Sequence, residues 1–236
     1  MTEASFAVVW DLDDTLLDTS TEIIPRSHLA AATAMVEAGL NATIEEIHAY
    51  RMALAAQGAQ GIDHLTASRF GGSISVANAG ERAFLSTDVG FVPVAAPVIE
   101  MLRRLRPRVE HHLLTVGNTQ RQIAKCHYGF DDDLFSSVHV LSPSHSMSKL
   151  AILQCVADCY GGPQRVIAVG DRPDAEISAA NTLGMTSIRV RTGEHSRREI
   201  ASPLEMATHV VHDILLVEEL INSFLASSEN ARIDDF

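Results

Sequence analysis

Four short stretches of the 236-residue chain concentrate side chains able to do polar chemistry. The first is Asp11-Leu12-Asp13-Asp14-Thr15, which stops the apolar run FAVVW (6–10). Carboxylates packed this closely repel one another unless a cation or hydrogen bonds offset the charge. On its own the stretch equally suits a turn, because Asp readily bonds its own backbone. The second is Thr115-Val116-Gly117-Asn118, a hydroxyl followed by a glycine that lets backbone amides approach an oxyanion. The third is Lys149, at the start of a helical period after the serine-rich SPSHSMS (142–148). A lysine in a first helical turn opposes the macrodipole, so an anionic partner would account for it. Lys125 is its rival for the same role. The fourth is Gly170-Asp171-Arg172-Pro173-Asp174-Ala175-Glu176. Pro173 and the acids beside it suit a helix start, whereas Asp171 sits at a strand end as Asp11 does. Oxygen ligands from two neighbouring strand ends suit a hard cation such as magnesium.

The elements that must position these groups follow from hydrophobic periodicity. Short apolar runs recur at FAVVW (6–10), HHLLTV (111–116), SVHVL (137–141), RVIAV (165–169) and SIRVR (187–191). Between and after them lie helical periods: Val98, Leu102 and Leu105; Ile152, Val156 and Cys159; Ile214, Val217, Ile221 and Phe224. That alternation predicts an α/β fold, a Rossmann-like parallel sheet flanked by helices. In such a sheet ligand crevices lie at the carboxyl ends of the strands, where all four polar stretches fall.

Residues 20–90 break the alternation. They carry helical periods (Leu29, Ala32, Val36; Ile47, Tyr50, Leu54) with no strong strand between them, so they read as a small α-helical insert. The boundaries are 1–19 and 91–236 for the core and 20–90 for the insert. Thr43 and Glu46 have capping-box spacing, which starts a helix near Ile44. Ser202-Pro203-Leu204-Glu205 carries a second helix-start signal, and the polar end SSENARIDDF (227–236) is expected to fray.

Composition narrows the function. With 46% hydrophobic and 20% charged residues the chain can bury a sizeable core. Its formal net charge of −12 repels polyanions, so nucleic acid is a poor partner. No run approaches the roughly 18 apolar residues of a membrane span, and the first residues lack the basic start and apolar stretch of a secretory signal. A cytoplasmic protein without membrane contact is expected. The three cysteines, Cys126, Cys155 and Cys159, are too few for a disulfide framework. Cys155 and Cys159 read as thiols on the apolar face of a helix, and His111, His112, His209 and His212 as surface or satisfied core histidines. Arg172 suits either a substrate anion or a surface ion pair. No G-x-G-x-x-G follows the first strand and no P-loop pattern occurs, which disfavours nucleotide-binding folds of those kinds.

In their order and placement, DLDDT, Thr115, Lys149 and GDRPDAE resemble the signature of the haloacid dehalogenase-like (HAD) superfamily. Its members carry D-x-D-x-T after the first strand, Ser or Thr after the second, a lysine, and G-D-(x)n-acid after the fourth. The resemblance covers residues 6 to about 192 and is to the phosphatase branch with a helical cap after the first strand, the phosphoglycolate phosphatase-like proteins. Asp14 stands where many members have Gly, Glu176 where Asp is commoner, and Lys149 lacks the Pro that often follows it.

The resemblance implies a magnesium-dependent phosphatase of a small phosphorylated metabolite. Asp11 is then the nucleophile that forms an aspartyl-phosphate, and Asp13 the general acid and base. Thr115, Gly117 and Lys149 bind the phosphate. Asp11, Asp13 through its backbone carbonyl, Asp171 and Glu176 hold the metal, Glu176 directly or through water. Asp13 argues against dehalogenation and phosphonate hydrolysis, whose enzymes lack a carboxylate there. The 104 residues between Asp11 and Thr115 leave room for a cap, unlike the 34 between Thr115 and Lys149. A phosphosugar mutase on the same core, and a non-catalytic binding protein of the same fold, are the alternatives.

Overall fold

The computed structural model describes residues 6–57, 59–87, 94–131, 133–142 and 148–233, with side chains as far as 228. By their internal contacts the residues form two compact units, Met1–Leu17 with Pro93–Phe236, and Asp18–Val92.

The first unit is built on a six-stranded sheet of β1 (Ala7–Trp10), β2 (Glu110–Val116), β3 (Ser137–Leu141), β4 (Val166–Gly170), β5 (Thr186–Val190) and β6 (His209–Val211). The order is β3-β2-β1-β4-β5-β6 and every pairing is parallel. Central β1 and β4 are buried along their whole length, so they read as unbroken apolar runs, while edge strands β3 and β6 are partly exposed. β6 is an addition to the five expected strands. Its three residues give no apolar run, and only Val211 is buried.

The topology reverses between β1 and β4. Their register pairs Trp10 with Val169, and the Asp11 amide donates to the Val169 carbonyl at 2.9 Å. The acidic residues after both strands therefore leave the sheet side by side, at the switch point where such sheets bind ligands.

Among the described residues five helices belong to the second unit: α1 (Thr19–Glu22), α2 (Ile24–Glu37), α3 (Ile44–Ala56), α4 (Ile62–Arg69) and α5 (Ile74–Ser86). Its core gathers Ala32, Met35, Leu40, Ile47, Ala67, Val76 and Ala77. The capping box forms as its spacing requires: Glu46 N–H donates to Thr43 Oγ1 at 3.2 Å, and Thr43 N–H to Glu46 Oε2 at 2.9 Å.

Around the sheet lie α6 (Ala96–Leu105), α7 (Thr119–Gly129), α8 (Lys149–Cys159), α9 (Ser178–Leu183) and α10 (Val217–Ile233). α8 buries Ile152, Leu153, Val156 and Ala157, which turns Cys155 and Cys159 outward. This corrects the expectation of core thiols: Leu153 and Ala157, not the cysteines, complete the apolar stripe beside Ile152 and Val156. At 202–205 the helix-start signal yields only a single 3-10 turn, Pro203–Glu205. There the Asn181 amide donates to the carbonyls of Leu204 and Met206 at 2.7 and 2.8 Å, and the chain passes on to β6. α10 continues to Ile233, so the polar tail begins helical instead of frayed. Of the serine-rich turn, residues 143–147 lie outside the described residues, as do residues 234–236 of the tail.

Candidate active site

Asp11 follows β1 directly and Asp171 follows β4, so strand geometry alone brings two carboxylates together. Glu176 joins them from a single π-helical turn, Pro173–Ile177, a widened helix form that recurs at functional sites. Side-chain oxygens of Asp11, Asp171 and Glu176 all lie within 4.8 Å of one another, and all three residues are buried. Glu176 folds back over Gly170, where any Cβ would collide with its side chain, so the glycine before Asp171 is required by close approach. The Arg172 amide fixes Glu176 Oε1 at 2.7 Å, and Lys149 Nζ meets Oε2 at 2.6 Å.

Lys149 Nζ also donates to Asp11 Oδ1 at 2.5 Å. The anionic partners that its first-turn position called for are thus Asp11 and Glu176. Burial works against the Lys149 ammonium, but the two carboxylates outweigh it and hold its pKa above the ordinary value. Asp11 and Asp171 are shifted upward, first by burial and then by repulsion from neighbouring acids, against which Lys149 acts in the opposite direction. Three buried carboxylates against one ammonium leave two negative charges, the complement of one divalent cation, and the donor set is all oxygen. The residues present therefore fit magnesium.

The Asp13 side chain is not in this cluster. It points to α7, where Lys125 Nζ donates to Oδ1 at 2.5 Å and Gln122 Nε2 to Oδ2 at 2.6 Å. Lys149 and Lys125 thus have separate stations, one beside Asp11 and one beside Asp13. Gln122 escaped sequence reasoning; its signal was a polar pair spaced i, i+3 with Lys125 on the helix after Thr115.

Thr115 lies one residue before the end of β2, is almost fully buried, and receives a 2.6 Å hydrogen bond from Gln122 Nε2. Gly117 departs from the expected phosphate contact. Its amide donates to the Leu141 carbonyl at 2.9 Å, and a Cβ there would lie 3.1 Å from the Gln122 side chain. The absent side chain makes room for Gln122, and the N–H is spent on the sheet.

Asp14 takes a left-handed φ of 55°, alone among the described non-glycine residues. That backbone explains why glycine is common at this position; Asp adopts it at modest cost. Arg172 pairs with Asp174 at 2.9 Å, the surface alternative of its two readings. His111 is a satisfied core histidine. Nδ1 accepts from Trp10 Nε1 at 3.0 Å and Nε2 faces the Leu102 carbonyl at 2.9 Å, which requires the neutral ring.

The chain resembles known proteins in sequence and in fold. A sequence model of the HAD-hydrolase-like family matches residues 142–217, the part that carries Lys149, Asp171 and Glu176. A glyceraldehyde 3-phosphate phosphatase of Methanopyrus kandleri is 27% identical over 207 residues, covering 82% of this chain and 87% of its own. The chain is thus similar to haloacid dehalogenase-like hydrolases, in sequence over residues 142–217 and in overall fold. Among solved HAD-like structures, a HAD-hydrolase of Bacillus subtilis bound to magnesium superposes with a TM-score of 0.65 at 12% identity, over 92% of this chain and 98% of that one. A protein of Haemophilus somnus described as a predicted phosphoglycolate phosphatase gives 0.65 at 17% identity, over 93% and 99%. At those identities the likeness is one of HAD-like fold.

Proposed function

We propose that the protein is a magnesium-dependent phosphatase that hydrolyses a small organic phosphomonoester through an aspartyl-phosphate, working in the cytoplasm. The observation that carries this reading is the pairing of two separately held carboxylates. Asp11 lies within the oxygen cluster, and Asp13, two residues on, is held outside it by α7. One group can attack while the other handles protons.

In this reading Asp11 attacks phosphorus in line and the P–O bond to the organic group breaks. The departing alkoxide takes a proton from Asp13. Asp13 then removes a proton from a water whose oxygen attacks the same phosphorus, releasing phosphate and restoring Asp11. Thr115 and Lys149 hold the phosphoryl oxygens, so that negative charge developing there meets a hydroxyl and an ammonium already in place. Asp11, Asp171 and Glu176, with the Asp13 carbonyl, would hold the divalent ion, which when bound lets an anionic carboxylate approach an anionic phosphate. The helical unit Asp18–Val92 would be the specificity cap. The name of the Methanopyrus relative, a phosphatase of a three-carbon phosphate, supports a small phosphometabolite as substrate. No helix among the described residues is long and apolar enough to cross a membrane.

Phosphate release from a panel of small phosphometabolites, with magnesium and with chelator, tests the reading. Asp11→Asn keeps the side-chain volume but not the nucleophile, and its turnover is expected to fall at least about 10⁴-fold with the fold retained. Turnover near the wild-type rate in that variant, or in exhaustively chelated enzyme, would refute it.

A further inference from the structure

We infer that Gln122 and Lys125 are positioning residues for both protein groups that must face the substrate beside the nucleophile: Asp13 and the Thr115 hydroxyl. The inference deepens the phosphatase reading and rests on it. An ionised carboxylate can only accept hydrogen bonds, so the amide of Gln122 must turn its NH₂ toward Asp13 Oδ2. The same nitrogen lies 2.6 Å from Asp13 Oδ2 and 2.6 Å from Thr115 Oγ1, so one N–H serves each. Thr115 Oγ1 is thereby an acceptor in this bond, and its own O–H hydrogen is left to donate to a phosphoryl oxygen. A threonine that spent its hydrogen on Gln122 would present lone pairs to an anion instead.

Lys125 completes the arrangement from the other side. It donates to Asp13 Oδ1 at 2.5 Å, so each oxygen of Asp13 has its own donor and the plane of the carboxylate is fixed. Both positioning side chains are themselves held: Gln122 is 2% exposed and Lys125 5%, whereas the Asp13 side chain is 29% exposed. The rigid partners are on α7 and the group they steady is on the loop after β1. Gly117 belongs to the same device, since the Gln122 side chain occupies the space a Cβ there would need.

The test separates steadying the acid from merely supporting the fold. Asp13 matters to the first step in proportion to how badly the leaving oxygen needs a proton, so kcat/KM should be compared on an alkyl phosphate and on 4-nitrophenyl phosphate. Lys125→Met is expected to lower kcat/KM about 10–100-fold on the alkyl ester and several-fold less on the nitrophenyl ester, mostly through kcat. Lys125→Arg, which restores a donor, should recover part of the loss. Placed in an Asp13→Asn background, Lys125→Met should add no more than about twofold, because its target is already gone. Gln122→Met, which also removes the Thr115 contact, should show the same leaving-group contrast with an added rise in KM, and it decides the question if Lys125→Met does not fold. Equal losses on both esters, or a full further loss in the Asp13→Asn background, would overturn the inference. Wild-type behaviour of both variants alongside a dead Asp11→Asn would sink this inference alone, whereas an active Asp11→Asn would sink the phosphatase reading beneath it.

Discussion

Each of the two units encloses a basic side chain against carboxylates, Arg51 in one and Lys149 in the other, and these two are balanced in opposite ways. In the helical unit Arg51 is fully enclosed and pairs with one carboxylate, Asp63, at 2.8 Å. Among the described residues its Nε and Nη2 find no hydrogen-bond partner, and burial lowers its pKa against the pull of Asp63. In the α/β unit Lys149 is shared by Asp11 and Glu176, with Asp171 a further acid in the same cluster. The helical unit matches charge one for one and runs short of acceptors, which is how a pair that serves folding looks. The α/β unit carries acceptors and negative charge in excess, a destabilising state that the proposed function accounts for, since the excess would be used when a cation and a phosphate arrive.

The largest test of that contrast is to remove one acid from each unit. Asp63→Asn leaves a buried guanidinium without its counter-charge and should destabilise the helical unit by about 3–5 kcal/mol, read by urea denaturation. Asp171→Asn should do the reverse in metal-free protein, raising its melting temperature by relieving the repulsion that pushes the Asp171 pKa upward. A loss of stability of similar size in both variants would mean that the acidic cluster is a structural ion-pair network after all. A smaller effect sharpens the contrast from the ligand side. Magnesium at 100 times its dissociation constant should stabilise the wild-type α/β unit by about 2.7 kcal/mol, should stabilise Asp63→Asn equally, and should leave Asp171→Asn nearly unmoved. Thermal melts with and without the ion measure all three.

The contrast was only half legible in the sequence, and particular residues show why. Asp11, Asp171 and Lys149 announce themselves because acids at strand ends and a lysine at a helix start oppose local propensity, and such conflicts mark sites, whereas Glu176 suits the helix start it occupies and stands out only through the resemblance. Gln122 opposes nothing locally. Its bond to Asp13 spans 109 residues of sequence, and an amide on a helix has no chemical signature until its partner is seen. The same limit hid Arg51, whose partner Asp63 lies on another helix. Strand β6 was missed because a short, exposed edge strand shows no apolar run, and the exposure of Cys155 and Cys159 because sulfur was counted as apolar while Leu153 and Ala157 were overlooked. Gly117 was misread for a related reason: a glycine beside a site threonine suggests room for an anion, and only the packing shows that the room is filled by Gln122.

The smallest expected effect is in pH, and it again divides the units. His28 of the helical unit and His111 of the α/β unit both have pKa values lowered from 6.5 to about 4, chiefly by burial. A lowered histidine binds fewer protons folded than unfolded between those values, so its stabilisation is complete above pH 6.5 and is lost as pH falls toward 4. Both units should weaken over that window, the α/β unit also through His112, His139 and His195, whose pKa values burial lowers as well. In the metal-free α/β unit the raised carboxylates act oppositely, since their folded pKa values lie above the ordinary 3.8 and their stability cost shrinks as the pH falls. Asp11 and Asp171, pushed up to about 7 and about 9, are displaced further from their ordinary value than any of these histidines, so the helical unit should still lose more stability on acidification. The chain's single tryptophan, Trp10, is buried in the α/β unit against His111 and reports on that unit alone. In urea titrations at pH 7 and at pH 5, far-ultraviolet circular dichroism, which includes the five helices of the other unit, should shift to lower urea by more than Trp10 fluorescence does. Adding magnesium restores the metal-bound balance of charge, so it should remove the carboxylate contribution and bring the two shifts closer together. Coincident shifts in the metal-free protein would show that the acidic cluster carries no repulsive charge, and the contrast between the units would fail at its root.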